Sequence, residues 1–110
     1  ITIVKRTDLD RAADLLLLKE VKAVLVTLGP KGVYVVTREK RQIIPAFQVM
    51  PVDTTGAGDA FNGALAVALA EGMPLLEAAR FASAAAALAT TKAGAQPSLP
   101  FRPEIEKMLA

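Results

Sequence analysis

The run from Asp53 to Gly63, Asp-Thr-Thr-Gly-Ala-Gly-Asp-Ala-Phe-Asn-Gly, constrains this chain most, because a glycine turn delivers the backbone straight into a long apolar-periodic segment. Gly56 and Gly58 let the main chain turn sharply and approach a ligand closely. The first turn of the helix that follows leaves N–H groups unpaired and puts a positive dipole end at the same point. An anion is expected there. Asp59 would repel phosphate and so stands outside that cradle; it can instead accept the proton of a hydroxyl that attacks phosphorus. Taken alone, Asp59 is equally a first-turn acid complementing the helix dipole, an arrangement worth about 0.3–1 kcal/mol.

Two familiar phosphate motifs fail on this stretch. A Walker loop needs Gly-Lys-Ser/Thr after four intervening residues, but Gly58 is followed by Asp59 and Ala60. A dinucleotide fingerprint would take Gly56 and Gly58 as its first two glycines, yet Phe61 stands where the third belongs.

Composition removes other chemistries. With no cysteine and no histidine, disulfides, thiolate sites, histidine triads and the usual zinc spacings are excluded, so any base is Asp, Glu, Lys or Tyr. The net charge of +2 is a small excess and not a basic stripe, which gives nucleic-acid binding no support. The 110 residues, 53% of them hydrophobic, suit one domain with its own core. No secretory segment or membrane-length apolar run is evident, and a cytoplasmic protein without a membrane partner is the expectation.

Hydrophobic patterning places the glycine turn in an α/β chain. Residues 1–4 read as a short strand, 9–19 as a helix with Asp8 as N-cap, and 23–28 as a strand covered on both faces and parallel to the first. Residues 33–37 and 41–45 read as strands around the polar turn Arg38-Glu39-Lys40, adding an antiparallel hairpin. A helix is expected over 60–71, ended by Gly72, and another over 75–91, opened by Pro74, with Leu75, Ala78, Phe81, Ala82, Ala85, Leu88 and Ala89 along one face. A short helix over 103–109 closes the chain. Phe47, Phe61, Phe81 and Phe101 read as core residues.

Residues 53–61 resemble the second signature of the ribokinase or PfkB-type carbohydrate kinases, D-T-x-G-A-G-D-x-F, with every specified position matched. Thr27-Leu28-Gly29-Pro30-Lys31-Gly32 resembles the family's nucleotide loop, and Gly94 to Pro100 resembles the closing turn of ribokinases, as does Lys92 to Ser98. The resemblance implies a fragment: the C-terminal part of a three-layer α/β/α sandwich with a parallel sheet and an antiparallel hairpin, holding the ATP-binding and catalytic-base portion without the N-terminal sugar site and lid. It also implies a homodimeric parent, and exposed strand edges would let the fragment self-associate.

The resemblance further implies transfer of the ATP γ-phosphoryl group to a primary hydroxyl of a sugar, with ribose the first expectation. Asp59 would be the general base and the sugar-facing residue, and Gly56, Ala57 and Gly58 would form the anion hole. Nucleotide contacts would come from Thr27, Leu28, Gly29, Pro30, Lys31, Gly32, Gly58, Asp59 and Ser83. Ser83 and Asn62 would flank the adenine, and Ser83 stands where relatives often carry histidine. Potassium would be held by Asp53, by carbonyls of Thr55, Ala89, Lys92 and Gly94, and by Ser98, while magnesium would travel with ATP. Read without the family, Asp53 is an Asx-type turn residue and 27–32 an ordinary two-glycine turn. Within the family a fructokinase or nucleoside kinase is the alternative; outside it stands a fragment that binds nucleotide without turnover.

Overall fold

A computed structural model describes residues 13–15, 22–54, 56–91 and 102–110. Strands β1 (Ala23–Thr27), β2 (Val33–Thr37) and β3 (Arg41–Ile44) form an antiparallel sheet in the order β1-β2-β3, followed by helices α1 (Ala57–Ala70), α2 (Leu75–Ala89) and α3 (Arg102–Leu109). The expected strand over 1–4 lies outside the described residues, as does most of the helix over 9–19, of which 13–15 are helical. The parallel pairing therefore also falls outside them, and every described strand pair is antiparallel.

Register explains which strand is central to the core. Leu25 stands opposite Val35, while Val24 and Val26 stand opposite Val36 and Tyr34. Alternation sends Val33 and Val35 into a cluster with Phe61, Ala79 and Ala82, and sends Tyr34 and Val36 to the other face with Ala13. β2 is thus the strand buried on both faces. β1, expected in that role, is only half-buried, because it flanks β2 and shares its clusters from the side.

Helix boundaries differ from expectation at the glycine turn. Gly56 adopts φ 85°, a left-handed conformation open to glycine, and serves as N-cap, so α1 begins at Ala57 and Asp59 lies inside its first turn. At the other end Gly72, also at φ 85°, closes a Schellman motif, with the Gly72 N–H donating to the Leu69 carbonyl and the Met73 N–H to the Ala68 carbonyl, each at 3.0 Å. Helix α2 is buried more widely than one stripe: Ala79 and Ala82 face the sheet, while Ala78, Phe81, Ala84 and Ala85 pack with Ala68 and Ile105. Alanine makes this possible, since small side chains let α2 sit close to α1, α3 and the sheet together. Arg102 of α3 makes a two-pronged ion pair with Glu71, bonds Glu106 at 3.0 Å, and lies 5.5 Å over the Phe81 ring.

Candidate active site

The connection between β1 and β2 is a single 3-10 turn over Gly29–Lys31. The Leu28 N–H donates to the Gly32 carbonyl at 2.7 Å and the Gly32 N–H to the Gly29 carbonyl at 3.0 Å, closing the turn on itself. Gly32 sits at φ 100°, and a Cβ there would stand 2.0 Å from the Ile44 carbonyl oxygen. Only glycine lets this turn lie against the end of β3. The turn is held beside the segment 46–51, which leads from β3 toward Asp53.

These elements enclose a cavity of about 450 Å³ lined by Thr27, Gly29 and Gly32 from the turn, Ala57 and Gly58 from the start of α1, and Ser83 from α2. Three stretches far apart in sequence are thereby brought together. The remaining wall comes from residues 46–49 and from Val33, Pro51, Thr54, Phe61, Ala86, Ala87 and Thr90. Its volume falls within the range of small-molecule sites, about 300–1,000 Å³, and its lining is mostly apolar. At Gly29 and Gly58 nothing lies within 4 Å of where a Cβ would stand, so both glycines leave open space in which a ligand can approach the backbone.

Other predicted residues lie elsewhere. Leu28 packs with Tyr34 and Val36 on the opposite face of the sheet and does not line the cavity. Pro30 and Lys31 belong to the turn, and Lys31 is exposed and does not line the cavity. Asn62 is exposed and away from it. Asp59 is exposed in the first turn of α1, next to Gly58, and Gly56 caps that helix. The Ala57 N–H, expected to face an anion, donates to the Thr54 carbonyl at 3.2 Å, at the long end of the hydrogen-bond range. Among the described residues the Gly58 N–H has no such partner outside the helix.

Of the expected cation ligands, Thr55, Lys92, Gly94 and Ser98 lie outside the described residues. Asp53 and Ala89 are within them, and the structure brings them near each other: the Asp53 N–H donates to the carbonyl of Thr90, the residue after buried Ala89, at 3.0 Å. Among the described residues no group of three or more acidic, histidine or cysteine side chains forms a metal cluster, and no helix is long and apolar enough to cross a membrane.

Sequence reasoning missed the wall formed by 46–49. These residues carry no motif and form no regular element, and Phe47 among them reads as ordinary core. Phe47 does pack in the α2–α3 cluster, with Arg80 5.4 Å over its ring, yet it also lines the cavity. Phe61, expected in the core, is 3% exposed and lines the cavity as well.

The chain is similar to known proteins. Over 91 residues the chain is 48% identical to a ribokinase of Haemophilus influenzae, a match covering 83% of the chain and 30% of that relative. It is 43% identical over 95 residues to fructokinase-1 of Zea mays, covering 80% of the chain and 29% of the relative. A solved Arabidopsis thaliana ribokinase complexed with ribose and ATP superposes with a TM-score of 0.88 at 39% identity, covering 96% of the chain and 34% of that structure. The chain thus spans about a third of the length of these relatives. The pattern of the pfkB family carbohydrate kinases matches residues 2–102, and the chain belongs to that family.

Proposed function

We propose that this chain is the nucleotide-binding, catalytic-base portion of an ATP-dependent sugar kinase that phosphorylates a primary hydroxyl, with ribose as the sugar. The observation that carries the reading is the convergence of the 27–32 turn, the Gly-Ala-Gly start of α1 and Ser83 on one cavity. Similarity to proteins named ribokinase, one of them solved with ribose and ATP, supports the choice of sugar. In the whole protein the three described strands would extend a parallel sheet within a three-layer α/β/α sandwich.

The chemistry follows from what the residues offer. The apolar walls take the base and exclude water, and the open glycines let phosphates approach the main chain. Asp59 removes the proton from the sugar hydroxyl as its oxygen bonds to the γ-phosphorus; the bond from that phosphorus to the β–γ bridging oxygen breaks, and ADP leaves. Charge building on the transferring oxygens is met by the Gly58 N–H and the positive end of α1. The Ala57 N–H joins them by exchanging its long bond to Thr54.

Potassium fits the donor chemistry of one carboxylate among backbone carbonyls. Asp53 and Ala89 would contribute, together with Thr55, Lys92, Gly94 and Ser98, and the ion's charge would steady the glycine turn. Magnesium would arrive with ATP. A fructokinase is the second reading, supported by the likeness to the maize protein.

The test is sugar-dependent ADP formation by the full-length protein over a panel of pentoses, hexoses and nucleosides, with and without potassium. Highest turnover on ribose is the expected result. Preference for fructose would move the assignment to the second reading, and no turnover on any acceptor would contradict the kinase.

A further inference from the structure

Among the described residues no charged side chain lines the cavity, and the polar lining comes from Thr27, Gln48, Thr54, Ser83 and Thr90. Ser83 stands apart, at 6% exposed the one buried polar residue among those described. The Thr90 hydroxyl already donates its proton to the Ala87 carbonyl at 2.7 Å. Ser83 makes no side-chain hydrogen bond to another described residue, and no described buried polar side-chain atom is sealed away without a partner, so its hydroxyl opens on the cavity. A hydroxyl is at once one donor and two acceptors, and it turns to suit its partner.

Adenine offers an amino donor at carbon 6 where hypoxanthine offers a carbonyl acceptor. A site with a fixed donor or acceptor rejects the wrong group by about 10⁴–10⁵, because its own buried group is left unpaired. A rotating hydroxyl is left unpaired by neither, and the Gln48 amide is likewise both donor and acceptor. The apolar side chains of the wall contribute shape.

Resting on the nucleotide reading above, we propose that the cavity is permissive at the base: it takes 6-amino and 6-oxo purine nucleoside triphosphates alike, with the Ser83 hydroxyl reading either group. Calorimetric titration of the full-length protein tests this with ATP, ITP and purine riboside triphosphate, which lacks any group at carbon 6. Dissociation constants for ATP and ITP are expected within about tenfold of each other. Ser83→Ala, one more alanine in an alanine-rich helix, should weaken both by a like factor of about three to ten and leave the unsubstituted analogue unchanged. ITP binding more than about a hundredfold weaker than ATP would overturn the permissiveness while leaving the nucleotide site standing. Equal weakening of all three by Ser83→Ala would overturn the role of the hydroxyl. Binding of none of the three would overturn the nucleotide reading itself, and this proposal with it.

Discussion

The carbonyl of Thr90 accepts the Asp53 N–H at 3.0 Å, and the same oxygen accepts the Val52 N–H at 2.6 Å. The strand of chain that enters the Gly-Ala-Gly turn is thereby fastened to the C-terminal end of α2, whose Thr90 also lines the cavity. A cation held by Asp53 would act on both at once. Asp53→Asn keeps the backbone bond and removes the carboxylate charge. Potassium should then activate turnover only at concentrations about ten- to a hundredfold higher, a cost typical of altering a metal's surroundings. An unchanged potassium titration would remove Asp53 from the ligand set.

Two glycines should respond to alanine in opposite ways. At Gly32 the positive φ and the 2.0 Å approach to the Ile44 carbonyl leave no room, so Gly32→Ala should lower unfolding stability by about 2 kcal/mol or more in urea denaturation. At Gly58, inside the first turn of α1, the space is open, and alanine is the better helix former by up to about 1 kcal/mol. Gly58→Ala should therefore leave the protein at least as stable while ATP affinity falls, because the methyl group enters the space a phosphate would use. Full ATP affinity in Gly58→Ala would separate this glycine from the site.

The Glu71–Arg102 pair predicts a dependence on acid. The hydrogen bond from Arg102, the largest influence, holds the Glu71 carboxyl below its ordinary value of 4.5; some loss of hydration opposes this, and the guanidinium charge adds to it. A carboxyl with a lowered folded value stabilises fully above pH 4.5, and that contribution fades as pH falls through the folded value. The melting-temperature gap between wild type and Arg102→Met should accordingly narrow on acidification below pH 4.5. What remains includes the stacking of Arg102 over Phe81, which does not depend on pH. A gap that stays constant through the acid range would show that the ion pair contributes nothing to folding.

Much of this architecture was legible in the sequence because local rules governed it. The hairpin around residues 38–40 and the stop at Gly72 follow from turn chemistry and capping, and both formed as the patterns predict. α1 starts three residues earlier than expected, since Gly56 takes the N-cap place in a left-handed conformation without a side-chain cap bond and Ala57 already favours helix. The contrast between Thr27 and Leu28 was not legible: Thr27 ends β1 and Leu28 follows it on the opposite face, and only the pairing of β1 with β2 decides which face meets the cavity. The wall of 46–49 was hidden for a related reason, because an irregular segment has no periodicity to reveal the side it presents.

In the proposed kinase Asp59 is the base and the cavity beside it holds the nucleotide. Asp59→Asn, at an exposed first-turn position, should fold normally and bind ATP about as tightly as wild type. The measurement is single-turnover ADP formation by the full-length wild type and Asp59→Asn proteins with saturating ribose and ATP. A loss of about 10²–10⁴ is expected in the variant, with nucleotide affinity retained. Turnover in Asp59→Asn within a few-fold of wild type would contradict it.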